Sequence, residues 1–89
     1  MAQINRIGVV GAGNMGSGIA QKIAQEGIDV TLVDIEESFV NRGLSSIRTL
    51  LEQGIERGLF TQEKVDSIMS RITGTTDLAG LKDADIVIE

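Results

Sequence analysis

Eighty-nine residues make one small domain or part of one, burying about two thirds of its surface around a modest core. With 42% hydrophobic and 24% charged residues but only two Phe and no Trp or Tyr, that core must be built from Ile, Val, Leu, Met and Ala. A net charge of −5, spread along the chain, argues against a nucleic-acid footprint and an anionic membrane surface; no Cys and no His excludes disulfides, thiolate chemistry and the commonest general base.

Met1-Ala2-Gln3 leads straight into an apolar run, and no apolar stretch approaches the roughly 20 residues of a membrane span, so cytoplasm is the expected compartment. Ile4 to Val10 is apolar and β-branched, the composition of a parallel strand buried on both faces. Gly11, Gly13 and Gly16 follow as G-x-G-x-x-G, and each position has its own reason to be glycine. Gly11 permits a sharp exit from the strand, Gly13 lets a diphosphate approach the backbone, and Gly16 lets the next helix pack close to the strand. Asn14 to Glu26 carries Met15, Ile19 and Ile23 at helical spacing, with Ala20 and Ala24 alongside, and Gly27 stands where a left-handed cap belongs. The free N–H groups of that helix's first turn, backed by the helix dipole, form an anion site without a lysine.

The next strand ends at Asp34, eighteen residues beyond Gly16, close to the spacing of a ribose-binding carboxylate. An acid there accepts hydrogen bonds from an adenosine ribose diol and repels the extra phosphate of NADP. Glu36 and Glu37 deepen the negative field and no basic residue follows until Arg42, so NAD is the expected cofactor. The plainer alternative makes Asp34 a cap for the following helix.

From Glu36 onward Val40, Leu44, Ile47, Leu51 and Ile55 recur at helical spacing, with Ser38, or else Glu36 or Glu37, as N-cap and Gly58 as the stop. Gly43 and Gly54 inside this helix each cost about 1 kcal/mol relative to Ala, which predicts local fraying. Thr61 caps a second helix whose apolar face is Val65, Ile68 and Met69, with Phe60 stapled onto Val65 and Arg71 near its end. This helical hairpin is longer than a minimal crossover; it serves as scaffold or as a partner surface. Ile72 to Thr76 reads as a threonine-rich edge strand, Asp77 caps a single turn holding Leu78 and Leu81, and Ala84 to Glu89 reads as a fourth strand, buried in a parallel sheet. The expected fold is α/β: the first half of a Rossmann-type doubly wound parallel sheet in the order 3-2-1-4, with the hairpin between strands 2 and 3. The chain stops on a strand residue, the ending expected of a truncated domain.

Taken together, IGVVGAGNMGSGIAQKIAQEGIDVTLVDI, the hairpin around LLEQGIERGLFT, and RITGTTDLAGLKDADIVIE resemble the N-terminal portion of the 3-hydroxyacyl-CoA dehydrogenase family, which includes the 3-hydroxybutyryl-CoA dehydrogenases. The resemblance implies oxidation of an (S)-3-hydroxyacyl-CoA to the 3-ketoacyl-CoA, with hydride passing to NAD, in fatty acid or butanoate metabolism. It assigns Gly11, Ala12, Gly13, Asn14, Met15 and Gly16 to the pyrophosphate loop and Asp34 to the adenosine ribose, with Ile35 counted among the cofactor-binding residues. The family's catalytic His and its orienting Glu lie farther along its chain, and a helical C-terminal domain completes the substrate site and a homodimer. This sequence has no His, so the 89 residues alone are expected to be inactive, with no catalytic residue among them. Glu89 closes the fourth strand and takes a ribose-side or structural part. Leu50 departs from the family's CoA-contacting serine, whereas Arg57 matches its basic residue and suits a CoA phosphate, although a lone Arg near a helix C-terminus also serves simply to offset the dipole. The glycine turn reads only the dinucleotide, so another β-hydroxy acid as substrate, or a stand-alone NAD-sensing module, remains open on sequence grounds.

Overall fold

A computed structural model describes residues 4–89. Four strands, β1 (Arg6–Val10), β2 (Asp29–Val33), β3 (Ile72–Thr75) and β4 (Ile86–Ile88), lie parallel in the order β3-β2-β1-β4. Arg6 pairs with Asp29, Val30 with Ile72, and Ile7 with Ile86. The predicted order and strand directions are those observed. Helices α1 (Asn14–Gln25), α2 (Glu37–Glu56) and α3 (Gln62–Ser70) pack on one another and on the sheet, and a 3-10 turn spans Leu78–Leu81.

The core follows from the alternation of the strands. Val9, Val30 and Leu32 point to the helices, where they meet Ala20 and Ala24 of α1, Ile47 and Leu51 of α2, and Val65 and Ile68 of α3. Gly8 faces the other way, and Leu81 and Ala84 close over it. Val65 and Ile68 are 0% exposed. Burial of side chains of this size contributes about 1.5–3 kcal/mol each, which makes the hairpin an integral part of the scaffold.

Several boundaries and faces differ from expectation, each for a local reason. β1 starts at Arg6 rather than Ile4, because the Asn5 and Arg6 N–H groups donate to the Asp85 carboxylate (2.8 and 3.1 Å) and Ile4 is left exposed. Those two bonds hold the Asp85 carboxyl below its ordinary value of 3.8, and the Asp85 N–H donates in turn to the Arg6 carbonyl at 2.8 Å. The fully buried stripe of α1 is Ser17, Ala20 and Ala24, with Ile19 and Ile23 partly buried against the core beside it, whereas Met15 is 81% exposed; small groups stand where α1 lies closest to the sheet. Ser38 does not cap α2: the N-cap is Glu36, with no side-chain cap bond, and the Ser38 hydroxyl donates to the Glu36 carboxylate instead. α2 is continuous through both its glycines. A Cβ on Gly43 would stand 2.8 Å from the Ala12 carbonyl oxygen, and one on Gly54 would strike the Phe60 ring, so both positions are places of close approach. Thr61 caps α3 as expected, accepting from Lys64 N–H at 3.2 Å, and Asp77 caps the 3-10 turn through Ala79 N–H at 2.9 Å. β3 is an edge strand ending at Thr75.

The largest departure is β4. Its apolar run predicts a buried strand, yet Ile86 and Val87 are 42% and 45% exposed and the paired segment is only Ile86–Ile88. β4 is the opposite edge of the sheet, paired only with β1, and no helix among the described residues covers it.

Candidate functional site at the carboxyl edge of the sheet

β1 and β2 run side by side in parallel, so their C-terminal ends bring the glycine turn and Asp34 to one edge. Gly11 has φ +102°, a left-handed conformation that an L side chain rarely adopts, and its N–H donates to the Val33 carbonyl at 2.7 Å. Ala12 is buried, and its N–H donates to Asp34 Oδ2 at 2.8 Å. Gly13 is the N-cap of α1 and has nothing within 4 Å of the place a Cβ would occupy, so the approach over it is open. A Cβ on Gly16 would run into the Gly11 carbonyl, with Val9 Cγ1 at 3.6 Å; the third glycine packs chiefly against the first, and only secondarily against the strand.

No side chain caps α1 and no acid sits in its first turn. Ser17 N–H is taken by the Gly13 carbonyl at 2.8 Å, and the Ser17 hydroxyl turns back to the Asn14 carbonyl at 3.3 Å. The N–H groups of Asn14, Met15 and Gly16 have no acceptor among the described residues. Three unpaired donors at the positive end of a twelve-residue helix favour an anion.

Asp34 lies just past β2 and does not cap α2, whose N-cap is Glu36. Its carboxylate accepts from Ala12 N–H through Oδ2 and from Ile35 N–H through Oδ1 at 2.7 Å. A carboxylate offers about four lone-pair sites. Two are used, which leaves one on each oxygen, the pattern that a vicinal diol satisfies.

Four clefts surround the turn. One of about 340 Å³ opens at the mouth of α1, between Gly13, Asn14 and Met15 on one side and Ile88 and Glu89 on the other. A second, of about 290 Å³, lies beyond Asp34 and is walled by Ile35, Thr76 and Leu78; Ile35 and Leu78 are 85% and 66% exposed. A third joins Gly13 and Asp34 to Phe39 and Arg42, and the fourth joins Gly13, Asn14 and Ser17 to Arg42 and Ser46. Gly11, Ala12, Gly13, Asn14, Met15, Gly16, Asp34 and Ile35 are thus gathered in one place. Arg57 is not: it is the C-cap of α2, about 30 Å along the helix from Glu37 at 1.5 Å per residue, and it is exposed, as is Leu50. Thr76, Leu78, Phe39 and Arg42 are site-lining residues that periodicity did not pick out. A sequence signal near the last two was Gly43, which lies inside a helix where α2 touches the loop.

The arrangement suits a ligand with an anionic centre, a sugar diol and a flat apolar end. Among the described residues no cluster of acids has the geometry of a metal site, and no helix is long and apolar enough to cross a membrane.

The family described as 3-hydroxyacyl-CoA dehydrogenase, NAD binding domain, matches residues 6–89. A 3-hydroxybutyryl-CoA dehydrogenase of Mycobacterium tuberculosis is 42% identical over 86 residues, 97% of this chain and 30% of that protein. The fatty acid oxidation complex subunit alpha of Idiomarina loihiensis is 39% identical over 98% of this chain and 12% of its own length. Among solved structures, (S)-3-hydroxybutyryl-CoA dehydrogenase from Ralstonia eutropha superposes with a TM-score of 0.93 at 39% identity, covering 96% of this chain and 30% of that one. The chain therefore spans less than a third of the length of these relatives. On the match that runs through every strand and helix described above, the chain belongs to the 3-hydroxyacyl-CoA dehydrogenase family, as its NAD-binding domain.

Proposed function

We propose that this domain holds NAD across the carboxyl edge of its sheet for an enzyme that oxidises an (S)-3-hydroxyacyl-CoA to the 3-ketoacyl-CoA. The observation that carries the reading is the convergence of three unpaired N–H donors of α1 and the two spare acceptor positions of Asp34 around one open glycine turn. In this reading the diphosphate lies over Gly13 and the first turn of α1, with Gly11 and Gly16 shaping the turn. Ala12 contributes through its clasp to Asp34, and Asn14 and Met15 through their N–H groups. Asp34 accepts from the adenosine ribose diol, and the adenine lies between Ile35 and Leu78. The nicotinamide half extends into the cleft bounded by Ile88 and Glu89, where the Glu89 carboxylate suits the second ribose. Once bound, NAD supplies the hydride acceptor; the chain's own residues bind and orient it.

The sequence has no His to act as general base for the substrate hydroxyl. The reading assigns the catalytic His and Glu, the acyl pocket and the dimer contacts to further chain, in keeping with relatives more than three times as long. It sets the reaction in the cytoplasm. Arg57 then serves the CoA phosphates only by way of the outer end of α2. The test is calorimetric titration of the 89-residue chain with NAD and NADP, followed by an assay of acetoacetyl-CoA reduction with NADH. Binding that prefers NAD without turnover is the expected result. Absence of NAD binding would refute the cofactor assignment, and turnover by these residues alone would refute the assignment of the chemistry to further chain.

A further inference from the structure

Among the described residues Arg42 is the only basic one lining the four clefts around the turn, and it lines two of them: the one with Asp34 and Phe39, and the one with Asn14, Ser17 and Ser46. Its place is fixed from both sides. The adjoining Gly43 lets α2 press on the loop, since even an ideal Cβ there would stand 3.1 Å from Ala12 Cβ, so the backbone carrying Arg42 lies against the glycine turn. The guanidinium carbon sits 5.9 Å from the centre of the Phe39 ring, within the range of a cation–π contact. Asp34, Glu36 and Glu37 are all close in sequence, yet Arg42 forms no salt bridge among the described residues. A guanidinium held beside a cluster of unpaired N–H donors, with no acid of its own, fits a phosphate.

Resting on the NAD reading above, we infer that Arg42 binds a phosphate of the dinucleotide from the α2 side of the loop, completing a site of which the α1 N–H groups form the other half. The cleft shared with Asn14 and Ser17 points to the bridging diphosphate as its partner. The cleft shared with Asp34 is where the 2′-phosphate of NADP would lie, so the test separates the two sources. In either case Arg42 works against the purely acidic surroundings of Asp34 and sets how strongly the site discriminates between the two cofactors.

The experiment is titration of the wild-type chain and of Arg42→Ala with NAD, ADP, NADP and adenosine at two salt concentrations, with Arg48→Ala as a control. Arg48 lies on the same helix, is exposed and lines none of the four clefts, so its replacement removes the same charge elsewhere. Loss of one charge-assisted contact at an exposed site weakens binding about tenfold. The expected result is that loss for NAD and ADP in Arg42→Ala, none for adenosine, a shallower salt dependence than wild type, and partial recovery in Arg42→Lys. A loss confined to NADP keeps the phosphate contact and moves it to the 2′ position. Unchanged affinity for all three phosphorylated ligands, or an equal loss in Arg48→Ala, overturns the assignment of Arg42 while leaving the NAD reading in place. A wild-type chain that fails to bind NAD overturns both.

Discussion

Replacing Asp34 by Ala tests the site at its most connected residue, because the same carboxylate braces the loop and offers acceptors to the ligand. The change strands the Ala12 N–H, whose residue is 5% exposed, and removes the acceptor of Ile35 N–H at the surface. A buried donor left unpaired costs about 1–3 kcal/mol and an exposed hydrogen bond about 0.5–1.5 kcal/mol, so about 3 kcal/mol of stability should be lost. In a domain of this size each kcal/mol moves Tm by about 4–8 °C, which gives a fall of about 12–24 °C in a thermal melt followed by circular dichroism. Loss of the ribose contacts should weaken NAD about 10- to 100-fold by calorimetry, while nicotinamide mononucleotide, which has no adenosine, should be unaffected. Asp34→Asn is the sharper variant: an amide keeps one oxygen and must turn its NH2 toward the N–H of either Ala12 or Ile35. An Ala variant that melts like wild type would refute the bracing role, and one that binds NAD like wild type would refute the ribose role.

Gly43→Ala should destabilise the domain even though Ala is the better helix former by about 1 kcal/mol. The new Cβ meets the Ala12 carbonyl oxygen at 2.8 Å, and overpacking against backbone costs about 1–3 kcal/mol. Denaturant titration reads the sign, and a stabilised variant would show that α2 is not seated against the loop. Leu78→Asp should leave stability nearly unchanged, as the side chain is 66% exposed, but should weaken NAD and adenosine together; equal affinity in the variant would remove Leu78 from the adenine site. Asp85 predicts a pH response. Its carboxyl is held below the ordinary value by two backbone N–H donors, so its contribution is complete above the unfolded value and is lost as pH falls through the lowered folded value. Acid unfolding should therefore be steeper in wild type than in Asp85→Asn, and superimposable acid limbs would rule the clasp out.

The glycine turn and the caps of α3 and the 3-10 turn were legible because each depends on neighbours close in sequence, and the sheet order because right-handed crossovers around such a turn leave few arrangements. Gly11 must be left-handed where a strand turns into a helix, and Thr61 and Asp77 find their donors two or three residues away. What the sequence hid were choices made by distant packing. Met15, Ile19 and Ile23 satisfy a helical period, yet Ile19 and Ile23 pack only beside a fully buried stripe of Ser17, Ala20 and Ala24, and Met15 stays exposed. Gly43 and Gly54 looked like weak points in a helix until the backbone of Ala12 and the ring of Phe60 came to lie against them. The run Ile86-Val87-Ile88 carries the composition of a buried strand, but burial depends on what lies beyond the edge. Arg42 was visible as the first base after Asp34 and the neighbour of Gly43; its nearness to Gly13 is a product of how α2 crosses the turn.

The turn is held by bonds made within the chain itself, from Gly11 N–H to the Val33 carbonyl and from Ala12 N–H to Asp34. The backbone that a cofactor meets is thus already frozen when the chain folds, and the ordering cost falls on folding rather than on association. Amide hydrogens of Gly11 and Ala12 should accordingly be slow to exchange before any nucleotide is added, whereas those of Asn14, Met15 and Gly16 should gain protection only when one arrives.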